Sequence, residues 1–290
     1  MQYKDIEIFL ELVSSRNITK ASEHLFLAQS VISTRLKRLE EELGYSLFIR
    51  SKGMREIELT SQGREFITLA MRLQTLYEEA AELRDSSRQT LRIAAPESMY
   101  FGTLEPVLVS IMKKHPEIKI SSQMADTSVV YELMESNMID FGFASYESSH
   151  RNIIHRHAYD QHFSLVRAGD KKDIISPSEL DPEKEIRLTG GNFSPVELWR
   201  DTFFPGHDSC RIEVSSPHMI VKFIKEFNGW ALLPTEVAEL MAKLYGVEIS
   251  RLTDAPEPRK IYLLMHGGAA EKEGSAAKIF LEELNAHEGH

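Results

Sequence analysis

The 290-residue chain has a single cysteine, Cys210, and no long apolar run. One cysteine excludes an internal disulfide and a Cys-X-X-Cys site, so a redox pair would need a second chain. No run approaches the roughly 20 apolar residues that a membrane-spanning helix needs. The first residues, MQYKDIEIFLEL, carry acids where a signal peptide carries basic residues. We therefore expect a cytoplasmic protein with no membrane partner.

The sequence also lacks the short motifs of common enzyme classes. It contains no G-X-S-X-G elbow, no G-X-X-X-X-G-K-[ST] loop and no G-X-G-X-X-G turn after a strand. His155 and His157 would share one face of a strand, with His162 nearby, but a supporting Cys or Asp at ligand spacing is missing. We therefore expect no catalysis, no metal site and no cofactor.

Charge is distributed unevenly along the chain, whose net charge is −10. Residues 1–90 hold 13 Lys and Arg against 14 Asp and Glu, a net −1, and residues 91–290 hold 21 against 30, a net −9. Phosphate contacts depend on local basic clusters, and an acidic body repels non-specific DNA. The acidic total is therefore compatible with DNA binding by the first part alone.

Residues 18–44 have the pattern of two short helices with a tight turn between them. Apolar residues recur at helical spacing and leave a polar and basic face outward on the second helix. Thr19 is the expected N-cap of the first helix, and Gly44 ends the second. This pattern is typical of a helix that lies in the major groove of DNA. The side chains expected to read base edges are Gln29, Ser30, Ser33, Thr34 and Arg35, and those expected to hold phosphates are Lys37 and Arg38.

The run LFIRSKGMREIELTSQG, residues 47–63, alternates a short extended piece, a turn at Gly53 and a second extended piece. We interpret it as a two-stranded wing. Arg50, Lys52 and Arg55 cluster around its tip, where a wing would meet the phosphates of a neighbouring groove.

A long helix is predicted from Ser61 onward, with apolar residues at alternating intervals of three and four. Such a stripe favours a partner helix, and two-fold DNA-binding proteins read two half-sites. Packing against its own domain is the alternative, because six positions make only a short coiled coil. The stripe comprises Phe66, Leu69, Leu73, Leu76, Ala80 and Leu83.

Beyond a polar hinge at residues 85–89, eight short strand-like runs alternate mostly with helical patterns. Alternation of this kind predicts parallel sheets covered on both faces, either one doubly wound sheet or two smaller ones facing a cleft. Ligands gather beyond the carboxyl ends of such strands, where hydroxyls and free amides at helix starts suit an anionic small molecule. The candidate ligand-binding residues are Ser98, Met99, Thr127, Ser128, Thr189, Gly190, Phe193 and His218.

Together these features resemble a LysR-type transcriptional regulator over the whole chain. The specific part lies within residues 5–64, and the second part matches more loosely through LRIAAP, the Pro116-Glu117 pair, IDFGFA and GWALLP. The matching residues of the first part are Phe9, Val13, Thr19, Ala21, Leu25, Gln29, Ser33, Leu39, Glu40, Leu43, Gly44, Leu47, Phe48, Arg50, Leu59, Thr60 and Gly63.

The resemblance implies an α/β multidomain protein: a winged helix-turn-helix, a long linker helix and a two-subdomain effector domain similar to periplasmic binding proteins. Such regulators switch transcription when a small molecule enters the cleft between the subdomains, and they are often dimers of dimers. The implied boundaries are 1–60 for the DNA-binding domain, 61–90 for the dimerising helix and hinge, and 91–290 for the effector domain, with subdomain I at 91–161 and 266–290 and subdomain II at 162–265.

The same resemblance assigns roles to single residues. Those matching Gln29, Ser30 and Ser33 would meet the major groove, and those matching Ser98, Ser128 and the stretch around Gly190 would line the pocket.

Three positions depart from the family pattern. Ala28 replaces a usual capping serine, and Thr34 replaces a longer polar or basic residue. Trp230 follows Phe227-Asn228-Gly229 where a two-glycine run is usual, which predicts a narrowed or reshaped side of the cleft.

The alternatives are a solute-binding protein or an α/β enzyme with an accessory helix-turn-helix. The basic helix and the lack of a signal peptide disfavour the first, and the missing motifs disfavour the second. A DNA-binding structural protein without a ligand would have little need of the acidic second part. We therefore predict a sequence-specific regulator whose partners are promoter DNA, a small effector and further copies of itself, as a homodimer or homotetramer, with RNA polymerase as an additional candidate.

Overall fold

The computed structural model describes residues 1–49, 57–82, 89–150, 152–169, 172–189, 194–207, 210, 212–267 and 274–288. They form two compact units, the first comprising Met1–Gln89 with Ser136–Met138 and the second Thr90–Glu135 with Ile139–His290. No helix in these ranges is long and apolar enough to cross a membrane. The predicted turn at Gly53, the hinge except for Gln89, and six candidate site residues lie outside the described residues: Arg50, Lys52, Arg55, Leu83, Gly190 and Phe193.

The first unit has the predicted winged helix-turn-helix order. Its hairpin pairs Phe48 with Leu59 and Ile49 with Glu58 in antiparallel register. The described elements are α1 (Tyr3–Ser15), α2 (Ile18–Leu25), α3 (Gln29–Leu43), β1 (Phe48–Ile49), β2 (Glu58–Leu59) and α4 (Ser61–Glu82).

Local hydrogen bonds fix the ends of α2 and α3. Asn17, not Thr19, is the N-cap of α2, because its side-chain oxygen accepts hydrogen bonds from the backbone N–H groups of Thr19 (2.8 Å) and Lys20 (3.2 Å). Thr19 itself lies inside the helix. Gly44, at φ +80°, ends α3 as predicted, since a left-handed residue is easiest for glycine.

A buried carboxylate ties α3 to the hairpin. Glu40 is only 7% exposed and accepts hydrogen bonds from the backbone N–H groups of Leu47 (2.7 Å) and Phe48 (3.3 Å). Charge-assisted bonds of this kind are stronger than neutral ones. They hold the first wing strand against the end of α3.

The apolar stripe of α4 is divided between two environments. Phe66 is 3% exposed and packs inside the first unit, with its ring centroid 5.0 Å from that of Phe9 in an edge-to-face arrangement. Tyr77 stacks on Tyr3 of α1 at 3.9 Å. The assignment of Phe66 to a dimer seam is therefore wrong, because the ring completes the core of its own unit. Leu69 and Leu76, 53% and 48% exposed, keep an open apolar edge.

The second unit holds the remaining described elements. Its chain order is β3 (Gln89–Ala95), α5 (Glu97–Met99), a π-helix (Tyr100–Leu104), α6 (Glu105–Lys114), β4 (Ile118–Met124), α7 (Thr127–Glu135), β5 (Phe141–Ala144), β6 (Ile153–Gln161), β7 (Phe163–Arg167), β8 (Ile174–Ile175), two short 3-10 helices (Pro177–Glu179 and Pro182–Lys184), β9 (Ile186–Leu188), α8 (Ser194–Phe203), β10 (Ile212–Val214), α9 (Pro217–Phe227), β11 (Trp230–Pro234), α10 (Thr235–Tyr245), β12 (Glu248–Leu252), β13 (Arg259–His266) and α11 (Ala276–Glu288).

These elements form two lobes. Lobe I contains a five-stranded sheet of order β4-β3-β5-β13-β6, and lobe II a four-stranded sheet of order β11-β7-β12-β8 with the parallel pair β9-β10 beside it. The sheets are mixed rather than parallel, because β13 runs antiparallel to β5 and β6, and β7 antiparallel to β11 and β12.

The chain passes from lobe I to lobe II at His162 and returns before Arg259. The predicted return after Met265 is therefore corrected: the whole of β13 belongs to lobe I, where Leu263 and Leu264 are fully buried.

Each lobe encloses its own core. Phe141, Phe143 and Phe280 anchor the core of lobe I. In lobe II, Trp230 is 4% exposed, packs with Trp199 and donates from its indole nitrogen to the backbone oxygen of Asp181 (2.8 Å). The predicted role of Trp230 in the cleft is corrected accordingly, because its ring fills the interior of the lobe.

Candidate DNA-binding surface and effector cavity

One side of α3 presents a polar surface. Gln29, Ser30, Ser33, Thr34 and Lys37 are all exposed. At about 100° per residue they fall within an arc of roughly 140°, and the buried apolar residues Ile32 and Leu39 lie on the other side of the helix. The amide nitrogen of Gln29 donates to the hydroxyl of Thr19 (3.2 Å), which joins the starts of α2 and α3. The surface has the shape and chemistry of a recognition helix.

Arg35 lies outside this arc and points toward α1. Its guanidinium donates to the carboxylate of Asp5 (2.9 Å) and to the side-chain oxygen of Gln2 (3.1 Å), and Asp5 is only 2% exposed. The structure thus places this predicted base-reading side chain at the α1–α3 contact. Releasing it would leave a buried carboxylate without its cation, which is costly.

The other two cations of α3 have weak partners. Lys37 lies 3.5 Å from Glu41 and Arg38 lies 3.0 Å from Glu42, both as exposed pairs one helical turn apart. Such pairs contribute little, about 0.3–0.5 kcal/mol. Both cations can therefore exchange their carboxylates for phosphates at small cost.

The start of α3 lacks a side-chain cap. Ala28 is the N-cap residue at φ −65° and ψ 142°, and its methyl group offers no oxygen to the first backbone N–H groups. Among the described residues, Ser30 included, no side-chain hydrogen bond caps this helix start. The N–H groups and the positive end of the helix dipole remain available for a phosphate or for water.

We expect Ala28→Ser to raise the free energy of unfolding of the first unit by about 1 kcal/mol, because a serine at this backbone geometry accepts from the second or third N–H group. Hydrogen exchange of the α3 amides in the full chain measures the gain. Ala28→Val is the control, since it enlarges the side chain without adding an acceptor and valine is as poor an N-cap as alanine. Equal protection in the parent and the serine variant would contradict the assignment of Ala28 as an uncapped N-cap.

A cavity of about 180 Å³ lies between the two lobes of the second unit. Lobe I contributes helix starts and strand ends, and lobe II contributes the ends of β9 and β10 with the starts of α9 and α10. The lining residues are Pro96, Glu97, Ser98, Asp126, Ser145, Leu188, Thr189, Ser215, Pro217, Val237 and Arg259. The volume is below that of drug-sized sites and suits a small metabolite.

Arg259 places a buried positive charge on the cavity wall. The side chain is 5% exposed, and burial lowers the pKa of the guanidinium to about 10, so it stays protonated at neutral pH. It donates to the side-chain oxygen of Gln161 (2.9 and 2.6 Å) and to the hydroxyl of Ser98 (3.0 Å). A buried guanidinium beside a hydroxyl is a suitable binding group for a carboxylate.

Gln161 links this cation to lobe II. The side chain is fully buried, accepts from Arg259 and donates to the carboxylate of Glu236 in the first turn of α10 (3.2 Å). Burial raises the pKa of Glu236. Gly102 of the π-helix allows the close approach of Glu236, since a Cβ at position 102 would lie 2.4 Å from its Cγ. A polar chain from Arg259 through Gln161 to Glu236 thus joins the two lobes beside the cavity.

Several predicted effector residues have other roles. Met99 is fully buried in the core of lobe I, Ser128 is exposed outside the cavity lining, and His218 contacts the hydroxyl of Tyr245 (2.8 Å). Thr127 is 2% exposed, accepts from the backbone N–H of Ser145 and hydrogen-bonds its hydroxyl, both at 3.1 Å. Thr127 therefore positions a cavity residue. Ser98 and Thr189 do line the cavity.

Arg259, Gln161 and Glu236 were not predicted. The sequence signal is weak: two charged residues, Arg259 and Lys260, begin a strand whose other residues are mostly apolar, RKIYLLM, and a charge that is buried there would need a partner or a ligand. The histidines near β6 bind side chains of their own lobe: His155 contacts the Tyr131 hydroxyl (3.0 Å) and His157 contacts Asp160 (2.8 Å). Among the described residues no group of three or more His, Cys, Asp or Glu could hold a metal ion.

Two family models cover these two parts of the chain. The model described as "Bacterial regulatory helix-turn-helix protein, lysR family" matches residues 3–64, and that described as "LysR substrate binding domain" matches residues 84–288. The chain belongs to the LysR family. It is a DNA-binding transcriptional regulator with a substrate-binding domain, and not an enzyme.

Curated relatives and solved structures agree with this assignment. The chain is 29% identical to the regulator CitR of Bacillus subtilis over 252 residues, 81% of this chain and 82% of the relative. It is 26% identical to the transcriptional activator IlvY of Haemophilus influenzae over 265 residues, 87% and 89% of the two chains. The crystal structure of CbnR, a LysR family transcriptional regulator, has a TM-score of 0.76 at 17% identity over 99% of both chains, which shows the shared fold.

Proposed function

We propose that this LysR-family regulator binds promoter DNA as a homodimer through two copies of α3 and responds to a small effector with one anionic group. The observation that carries the DNA part is the exposed arc of Gln29, Ser30, Ser33, Thr34 and Lys37 on a helix of the matched helix-turn-helix unit. A structure of CbnR complexed with its target DNA, with a TM-score of 0.74 at 19% identity, has the same fold. Because its partner is the promoter, we place the protein in the cytoplasm.

Base and phosphate contacts divide along α3. Gln29, Ser30, Ser33 and Thr34 carry uncharged polar groups that can hydrogen-bond to base edges, whereas Lys37 and Arg38 supply charge to phosphates. Arg35 is left out of the base-reading set because Asp5 holds it. The wing residues Arg50, Lys52 and Arg55 remain sequence-based predictions for phosphate contacts.

We expect Gln29→Ala and Lys37→Ala to weaken DNA binding in different ways. Loss of the glutamine amide should reduce the preference for one base at one position by about 1–3 kcal/mol. Loss of the lysine should weaken binding to all duplexes alike and lower the slope of log affinity against log salt concentration by about one, the effect of one lost phosphate contact. Gel shifts at several salt concentrations, with a duplex selected by the parent protein from a random library, measure both. If both variants bound as the parent does, this surface of α3 would not be the DNA interface.

The homodimer is proposed from the open edge of α4. Leu69 and Leu76 are exposed, Ala80 is exposed and Leu73 is half-buried on the same side of the helix. Two copies of this edge can pair and present two α3 helices to two half-sites. Contact with RNA polymerase, and assembly of two dimers into a tetramer, are the further associations that we propose for this regulator.

The effector class follows from the charges on the cavity wall. Arg259 and Ser98 suit one carboxylate or similar anion, while Glu97 and Asp126 also line the cavity and oppose a second negative charge. We propose a small effector with a single anionic group that is neutral or cationic elsewhere. No cofactor is part of this proposal.

A further inference from the structure

Phe26 stands out on the surface of the first unit. Its side chain is 93% exposed, whereas the next most exposed large apolar side chain that the structure describes, Leu198, is 68% exposed. Its backbone is left-handed, with φ +54° and ψ +39°. An aromatic residue in this conformation is rare, because its Cβ crowds the backbone.

The backbone around Phe26 is a tight helix end that does not need an aromatic ring. The N–H of Phe26 donates to the backbone oxygen of Glu23 (3.3 Å), and the N–H of Leu27 donates to that of Ser22 (3.0 Å). A helix end with this pair of backbone hydrogen bonds usually has glycine, or sometimes asparagine, at its left-handed position. Three other helices end on a left-handed glycine or asparagine, at Gly44, Gly246 and Asn228, whereas α1 ends on left-handed Arg16. Neither the local backbone nor the core explains the ring.

The position of Phe26 relates the ring to DNA. It lies in the turn between α2 and α3, three residues before Gln29, and residues 24–39 contain no Asp or Glu. In a helix-turn-helix the second helix occupies the major groove and the first crosses the backbone, so the turn between them lies near the groove edge. The ring therefore adjoins the surface that is proposed to bind DNA.

We propose that Phe26 is a DNA-contacting residue whose ring packs on deoxyribose or thymine methyl groups at the edge of the major groove. Apolar side chains recognise thymine through its methyl group. The contact accounts for an exposed ring at a strained backbone position. The proposal rests on DNA binding through α3, and it adds an apolar anchor beside the polar and basic contacts.

The test uses the full-length protein and the duplex selected from a random library by the parent. We expect Phe26→Asn to raise the Kd about tenfold, with an unchanged slope of binding against salt, because an apolar contact releases no counterions. The melting temperature of the free protein should stay equal or rise, since asparagine suits a left-handed backbone. Phe26→Tyr should keep most of the affinity.

Leu198→Asn is the matched control, because it removes an exposed apolar side chain from the second unit. It should leave the Kd unchanged. Parental affinity in Phe26→Asn, beside weakened binding in Gln29→Ala, would overturn the role of Phe26 and leave α3 as the DNA surface. A lower melting temperature together with a higher Kd would overturn it as well, because the ring would then be structural. Parental binding in both variants would reject the DNA surface itself.

Discussion

Phe66→Ala should lower the free energy of unfolding of the first unit by about 3–5 kcal/mol, the usual cost of removing a buried phenylalanine ring. The ring is 3% exposed and packs from α4 against Phe9 of α1, so the substitution removes one of the contacts that hold α1 and α4 together. Hydrogen exchange of α1 amides in the full chain reports the loss. Trp199 and Trp230 both lie in lobe II, and their fluorescence should show that the second unit is unchanged.

Leu76→Glu is the informative comparison on the same helix. Leu76 is 48% exposed, so the substitution should leave the exchange of α1 amides within about 0.5 kcal/mol of the parent. Sedimentation should instead show dissociation, because a charge would enter the proposed dimer edge. Should Phe66→Ala keep full protection and dissociate the dimer, Phe66 would belong to the interface after all. An unchanged dimer in Leu76→Glu would reject the pairing of α4 copies.

This pair of substitutions illustrates what periodicity can and cannot predict. The three-and-four spacing of Phe66, Leu69 and Leu76 correctly indicated a helix with an apolar side. It could not say which partner covers each position, because a core helix and a coiled-coil seam share the same spacing. Which residues of α4 are buried depends on α1: Phe66 belongs to the same core cluster as Phe9 of α1, and Leu69 lies outside that cluster.

The recognition helix was predictable because its signals are local. Gln29, Ser33 and Lys37 follow from one segment whose apolar residues define the buried side. Arg35 shows the limit of local pattern: its partner Asp5 lies 30 residues earlier, and only the folded structure brings the two together. The N-cap of α2 was misplaced by two residues, since Asn17 and Thr19 are both capable of capping.

The cavity was predictable only in part, because it is assembled from distant strand ends. Ser98 and Thr189 were found from strand-to-helix junctions, as expected for an α/β fold. Arg259 and Gln161 begin and end strands that pair in antiparallel register, and Arg259 lies directly opposite Gln161. An alternation of strands and helices does not reveal such a return strand. Because most side chains of β6 are polar, a pattern based on apolar runs did not include it among the eight strands, although His155 and His157 were expected to lie on a strand.

Arg259→Met should weaken binding of an anionic effector by about 10- to 100-fold, since hydrogen bonds to a charged group contribute about 1.5–3 kcal/mol. The first step is a thermal-shift panel of monocarboxylates, α-amino acids, di- and tricarboxylates, inorganic phosphate and uncharged amides. We expect stabilisation from ligands with one anionic group, because Glu97 and Asp126 oppose a second one. Stabilisation by uncharged amides alone would contradict the proposal.

Two further variants separate charge from folding in this prediction. Lys260→Met removes the same charge one residue along β13 at an exposed position outside the cavity lining, so it should bind the effector as the parent does. Ser98→Ala keeps the guanidinium and its contact with Gln161 but removes the hydroxyl, and it should cost a few-fold in affinity. Arg259 donates hydrogen bonds to Ser98 and Gln161, and Gln161 donates to Glu236 of lobe II. An anion that binds Arg259 would therefore affect a hydrogen-bonded contact between the two lobes. A folded Arg259→Met protein with parental affinity would show that the effector is held elsewhere.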